Sequence, residues 1–164
     1  MKRRILTAIL FATLSLAPAA AFARSIAEPN DPYYPDQWAL AHVGAPCAWE
    51  NTIGSPDVTV AVVDSGVDMH HPDLVDRLRD DGRDFVDGDD DPSDENGHGT
   101  NVAGIIAATI DNGEGGVGLA PGVKILPVRV MNARGAGSDR SSCRAREASP
   151  PRPRPPPAGG AARA

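Results

Sequence analysis

Apolar residues in the body of this chain fall into two nearly continuous runs with a helix-spaced segment between them. The first run, Val58 to Val63 in "DVTVAVVDSG", is β-branched almost throughout and stops at Asp64. A run apolar on both faces is the pattern of a strand buried inside a parallel sheet. "VKILPVRVM", residues 123–131, is the second such run. Between them, "GTNVAGIIAATI" places Val102, Ile105, Ile106 and Thr109 at helical spacing, with Ala and Gly available for close packing. The order strand, helix, strand predicts a βαβ unit and an α/β fold. Upstream, "NDPYYPDQWALAHVGAPCAWE" reads as an extended arm leading into two short helices. Asp36 is placed to cap the first, and Pro46 suits the first turn of the second. "HPDL", "DFVDGDDDPSDENG" and "DNGEGGVGLAPG" read as loops, the second with a short strand at 84–86.

The two ends differ from this body. Lys2, Arg3 and Arg4 precede the apolar stretch "ILTAILFATLSLA", which is too short to span a bilayer comfortably, and "AFA" at 21–23 is a small-x-small cleavage site. Residues 1–23 are therefore expected to be a signal peptide. The mature chain would begin near Arg24, secreted or periplasmic, with no membrane contact after cleavage. Residues 139–164 contain no Val, Ile, Leu, Met, Phe, Tyr or Trp. Such a segment cannot bury enough apolar surface to offset its ordering entropy. It reads either as a natural disordered Arg/Pro/Ala-rich tail or as out-of-frame translation, and the second reading is favoured below. Residues 24–138 remain as the folded unit.

Composition adds two exclusions. The net charge of −6, with acid concentrated between Asp73 and Glu95, provides no basic face, so no nucleic-acid partner is expected. Two cysteines, Cys47 and Cys143, do not make a disulfide framework.

Two residues carry the candidate chemistry. Asp64 ends a buried strand, where catalytic groups of open α/β sheets gather, and a carboxylate there can orient a histidine. His98 stands between two glycines at a predicted helix start, accessible from a cleft, with Thr100 nearby for hydrogen bonding. Taken together, "VAVVDSGVDMHHPDL", "NGHGTNVAGIIAA" and "GVGLAPGVKILPVRVMNARGAGS" resemble the subtilases, the subtilisin-like serine proteases. "NDPYYPDQWALAHVGAPCAWE" is most similar to the thermitase-type branch. The resemblance covers residues 30–138 and implies a three-layer α/β sandwich with a mostly parallel sheet, here incomplete. It implies a serine endopeptidase acting by an Asp-His-Ser triad, with Asp64 as the triad aspartate and His98 as the base. It also implies a polypeptide substrate bound along an extended edge at Gly135, Ala136 and Gly137. A monomer is expected.

The chain departs from the pattern in places. Asn101 stands where many members have a second histidine. No Gly-Thr-Ser motif occurs, and the serines after His98 (Ser138, Ser141, Ser142 and Ser149) begin no plausible strand-to-helix elbow. The nucleophile is therefore expected to be absent, and the abrupt end of the resemblance at "GSD" favours the frame slip. The alternatives are an inactive exported calcium- or peptide-binding remnant, or a fragment that needs a complementing C-terminal half. A sheet lacking strands and covering helices would expose apolar faces and open edges.

Calcium is the cofactor the resemblance implies. "DNGEGGVG" resembles the family's tight calcium loop, with Asp31, Asp73, Asn112 and carbonyls near Thr109, Glu114 and Gly116 as the oxygen donors. Asp87, Asp89 and Asp91 have the spacing of an EF-hand start. Pro92 stands where that loop needs glycine and His98 where it needs glutamate, so no EF-hand is expected. These aspartates are candidates for a weaker calcium, with a solvated acidic loop as the equal alternative. The adjacent His70 and His71 point different ways and lack further ligands at zinc spacing.

Overall fold

The continuous β-branched run folds as β1, Thr59–Asp64, and the second apolar run as β3, Lys124–Arg129. The computed structural model describes residues 28–138, 141 and 143–145. The two strands pair in parallel, in register from Thr59 with Lys124 to Asp64 with Arg129. A two-residue strand, β2 (Arg83–Asp84), pairs in parallel with the other side of β3, giving the order β1-β3-β2. It begins one residue before the expected 84–86 strand and stops short of its end. The Asp84 carboxylate accepts the Val86 and Asp87 amides and draws the chain out of the ladder.

Alternation along the strands divides the core. Val60, Val62 and Ile125 face a cluster with Val67, Leu74, Ala103 and Ala107. Ala61, Leu126, Val128 and Val130 face the opposite way, with Phe85, Met131 and Ala145. The helix over the first face is α3, His98–Ala107. Its buried stripe is Gly99, Ala103 and Ala107, whereas Ile105 is 64% exposed. The close packing therefore falls to the small residues, as the Ala and Gly of this segment allow. Val102 and Ile106 only flank the contact, because small side chains let the helix sit close to the sheet. At Gly99 a Cβ would collide with the Gly66 carbonyl. The strand run is also less enclosed than its pattern predicts. β1 lies at the sheet edge, Val63 is 40% exposed, and Val58, just before the strand, is 51% exposed.

The arm continues into α1 (Trp38–His42) and α2 (Ala45–Trp49). Pro46 occupies the first turn of α2 as expected. Asp36 caps nothing. It belongs to a 3₁₀ turn at Tyr34–Asp36, and Gln37 takes the cap position of α1 without a side-chain cap bond. The Gln37 amide is spent elsewhere: it accepts from Val117 N at 2.7 Å and donates to Val117 O at 2.9 Å. Leu40, Ala45, Trp49 and Val117 then form a separate apolar cluster.

The expected signal peptide lies outside the described residues. So does most of the expected tail, of which Ser141 and 143–145 have helical backbone and Ala145 is buried against β3. Cys47 and Cys143 are both exposed and free. Among the described residues no helix is long and apolar enough to cross a membrane.

Candidate active site

Even-numbered positions of β1 face α3, so Asp64 continues the face of Val60 and Val62 and ends beneath the start of that helix. Gly97, at φ 95°, makes the left-handed turn from which α3 begins at His98. His98 Nδ1 lies 2.7 Å from Asp64 Oδ1. The same oxygen accepts the Ser65 amide at 2.7 Å, which fixes the carboxylate. A carboxylate that is ionised only accepts, which makes Nδ1 the donor in this contact and leaves Nε2 without a bond to Asp64. The Asp64 side chain is 12% exposed and that of His98 64%, so an oriented acid sits behind an accessible imidazole. No described serine hydroxyl hydrogen-bonds to His98. Ser138 Oγ instead meets Ser141 Oγ at 2.8 Å, and Ser141 Oγ donates to the Phe85 carbonyl.

Asp94, which the sequence did not single out, organises the approach to this pair. Its Oδ1 accepts from Ser65 Oγ at 2.8 Å and from the amides of Asn96 and Gly97, each at 2.9 Å. Its Oδ2 accepts from Thr100 N at 2.9 Å and Thr100 Oγ1 at 2.6 Å. Partial burial works to raise its pKa. The bonds from Thr100, Gly97 and Asn96 outweigh burial and hold the pKa at about 2. Thr100 Oγ1 also accepts the Asp68 amide, so the hydrogen bonding expected of Thr100 joins α3 to the loop after β1.

Arg129, at the end of β3, was likewise not anticipated. Its guanidinium is 7% exposed and pairs with Asp84 at 2.8 Å, with Asp87 at 3.0 Å, and with Glu95. Burial works against its charge, and the carboxylates of Asp84, Glu95 and Asp87 outweigh burial and raise its pKa. The acidic loop is therefore organised by an arginine. Asp89 Oδ1 accepts the Asp91 amide, and Asp91 Oδ1 accepts Ser93 N and Oγ. Among the described residues no group of three or more His, Cys, Asp or Glu side chains is arranged for a metal, so Asp87, Asp89 and Asp91 are not gathered into a ligand set. His70 and His71 are not gathered either; His71 Nδ1 accepts the Asp73 amide.

The segment at 132–137 is an exposed turn. Asn132 Oδ1 accepts the amides of Arg134 and Ala136, and Met131 bridges Gly137 in antiparallel fashion. The Asn96 side-chain amide donates to Ala133 O at 3.0 Å, which joins this turn to the segment carrying His98. Gly135, Ala136 and Gly137 are exposed beside that link.

A second polar centre lies at the loop 109–116. Asp31 and Asp73 are 2% and 4% exposed, and among the described residues neither forms an ion pair with a basic side chain. Asn112 bridges them: its amide N donates to Asp31 Oδ1 and its Nδ2 to Asp73 Oδ1 at 2.9 Å. Asp73 also holds the amides of Thr109 and Gly116. The carbonyls of Thr109, Glu114 and Gly116 accept no hydrogen bond among the described residues. Buried carboxylates without a basic partner, beside unpaired carbonyls, are a donor set that suits a hard cation. The arm contributes through Tyr33 N, which donates to Gly115 O at 2.8 Å.

Comparison with known proteins identifies the family. Residues 55–150 match the model of the subtilase family, Peptidase_S8. The chain is 46% identical over 111 residues to the thermophilic serine proteinase of Bacillus sp. strain AK1, covering 67% of this chain and 27% of that protein. It is 45% identical over 111 residues to thermitase of Thermoactinomyces vulgaris, covering 67% of this chain and 39% of that one. The chain thus spans well under half the length of these curated relatives. A solved protease structure from Pseudoalteromonas arctica superposes with a TM-score of 0.61 at 33% identity, over 70% of this chain and 42% of that chain. With Asp64 at the end of a parallel strand and His98 opening the helix packed on it, the chain belongs to the subtilase family.

Proposed function

We propose that this chain supplies the Asp-His part of a subtilisin-like serine endopeptidase that hydrolyses peptide bonds. The observation that carries this reading is the 2.7 Å contact between His98 Nδ1 and Asp64 Oδ1, at the carboxyl end of a parallel strand. In the reaction, Nε2 of His98 takes the proton of a serine hydroxyl as its oxygen attacks the scissile carbonyl. His98 then returns that proton to the leaving amine, and Asp64 stabilises the imidazolium between the two steps. The serine is supplied by a part of the enzyme other than the described residues. The substrate is an extended polypeptide alongside Gly135, Ala136 and Gly137.

Calcium would be held by Asp31, Asp73 and Asn112 with the carbonyls of Thr109, Glu114 and Gly116. It would neutralise two buried carboxylates and pin the N-terminal arm to the loop. Asp87, Asp89 and Asp91 form a solvated acidic loop. We place the mature chain outside the cytoplasm, as a monomer.

A fluorophosphonate probe, which labels only an activated serine, tests the assignment. This chain alone should remain unlabelled. Mixed with the C-terminal remainder of a subtilase carrying the serine, it should support labelling that the variant His98→Ala abolishes. Labelling of the chain alone, or labelling of the mixture that survives His98→Ala, would overturn the reading. A second reading, an inactive binding remnant, is favoured by the absence of a serine hydroxyl against His98 among the described residues. It predicts that calcium raises the melting temperature while no mixture becomes labelled.

A further inference from the structure

Asp94 makes more bonds than the start of a helix requires. A carboxylate just ahead of a helix satisfies amides at its start, here Gly97 at the cap position and Thr100 in the first turn. Asp94 also accepts the hydroxyl of Ser65, which follows Asp64 directly and lies on a different element. Ser65 Oγ in turn accepts the amide of Gly99 at 3.0 Å. The result brackets His98. Asn96 and Gly97 before it, and Gly99 and Thr100 after it, are all bonded to Asp94 or to the hydroxyl that Asp94 holds. The residue next to Asp64 is held by the same carboxylate, so both halves of the acid–base pair are fixed to one point.

We propose that Asp94 is a positioning residue of this active site: through Ser65 and Thr100 it sets the separation and alignment of the Asp64 carboxylate and the His98 ring. The proposal rests on the reading of Asp64 and His98 as the acid–base pair. His98 itself is mostly exposed and is held by few contacts of its own. Its ring bonds to Asp64, and its amide makes a long 3.3 Å bond to Asn96 Oδ1. Its orientation therefore depends on the backbone around it. The charged groups on the neighbouring elements are Asp64 on β1, Asp68 after it, Glu95 backed by Arg129, and Arg134 on the turn that Asn96 touches. Asp64 itself apart, none of these side chains bonds to both Ser65 and the first turn of α3, as Asp94 does.

The test is proton NMR of the full chain, following the Nδ1 proton of His98. A proton held between imidazole and carboxylate resonates far downfield and exchanges slowly with water, and a merely structural residue would not move that signal in a folded protein. In Asp94→Asn one acceptor oxygen becomes a donor facing Thr100. Exchange of the His98 proton should then accelerate by about tenfold or more, as expected for loss of a charge-assisted hydrogen bond. Thr100→Val should act in the same direction, and Thr100→Ser, which keeps the hydroxyl, should restore the signal. A folded Asp94→Asn with an unchanged signal overturns the proposal. If Asp94→Asn does not fold, the Thr100 pair decides, and identical signals in Thr100→Val and Thr100→Ser overturn it. Asp64→Asn separates the underlying reading: a downfield His98 signal that persists there means that Asp64 is not the partner of His98.

Discussion

Arg129 offers the most direct test of how this fold carries charge inside it. Its side chain is 7% exposed and its partner Asp84 is 1% exposed, whereas Asp87 and Glu95 are 62% and 58% exposed. The four groups therefore differ in weight. Replacing Arg129 with Met keeps much of the side-chain volume but leaves the Asp84 carboxylate buried without its cation. Breaking one side of a buried ion pair costs about 3–5 kcal/mol. The pairs with Asp87 and Glu95 are open to solvent and add roughly 0–1 kcal/mol each. Asp84 Oδ1 keeps its bonds from Val86 N and Asp87 N, which places the expected loss near the lower end, at about 3 kcal/mol. With a urea m-value of about 1–3 kcal/mol/M, the midpoint should fall by at least ~1 M. Arg79→Met provides the control. The Arg79–Asp81 pair is 42% and 57% exposed, and its loss should shift the midpoint far less than loss of Arg129. The double variant Arg129→Met with Asp84→Leu should recover most of the loss, because the cost lies in the orphaned carboxylate. Urea unfolding of the full chain and the three variants, followed by tryptophan fluorescence, measures these differences. An Arg129→Met variant as mild as Arg79→Met, or a double variant no better than the single, would refute the reasoning.

Further predictions follow from other sites. Asp73→Asn should lower both the melting temperature and the calcium-dependent part of it, read by thermal scans with calcium and with chelator. A chelator-insensitive parent chain would remove calcium from the loop 109–116. Asp94 has a folded pKa of about 2, below the ordinary carboxylate value of about 3.9. Its contribution to stability is therefore complete above about pH 4 and is lost as pH falls through about 2. The stability gap between the parent and Asp94→Asn should narrow over that window, and a gap constant with pH would contradict the assignment. Gly99→Ala would drive a methyl group into the Gly66 carbonyl, a backbone atom with little room to yield. It should cost about 1–3 kcal/mol in denaturant unfolding, while Gly104→Ala, which meets nothing within 4 Å, should be neutral or stabilising.

Much of the fold was legible locally. The β-branched run at 58–63 and the apolar run at 123–131 encode a parallel pair, because strands with both faces covered carry apolar residues nearly continuously rather than in alternation. Pro46 marks the start of α2 because its fixed φ suits a first helical turn. Asp64 and His98 were singled out through the resemblance that their motifs carry together, and the structure brings them to 2.7 Å. Other features were not. The spacing of Val102, Ile105 and Ile106 indicated a helix but not its buried stripe, because the closeness of helix and sheet is a tertiary quantity that selects Gly99, Ala103 and Ala107. Asp36 looked like a cap, but Gln37 took the position and gave its side chain to Val117, 80 residues away. Asp87, Asp89 and Asp91 looked alike in the sequence, yet Asp87 alone reaches Arg129 while the other two close local turns. Asp94 and Arg129 carried no sequence signal, since their partners lie up to 45 residues away. The sequence by itself determined which residue types could perform chemistry and which segments could be buried, because those properties are local. Only the tertiary structure decided which carboxylate meets which partner, because hydrogen bonds and ion pairs form over a few ångströms between groups the chain order keeps apart.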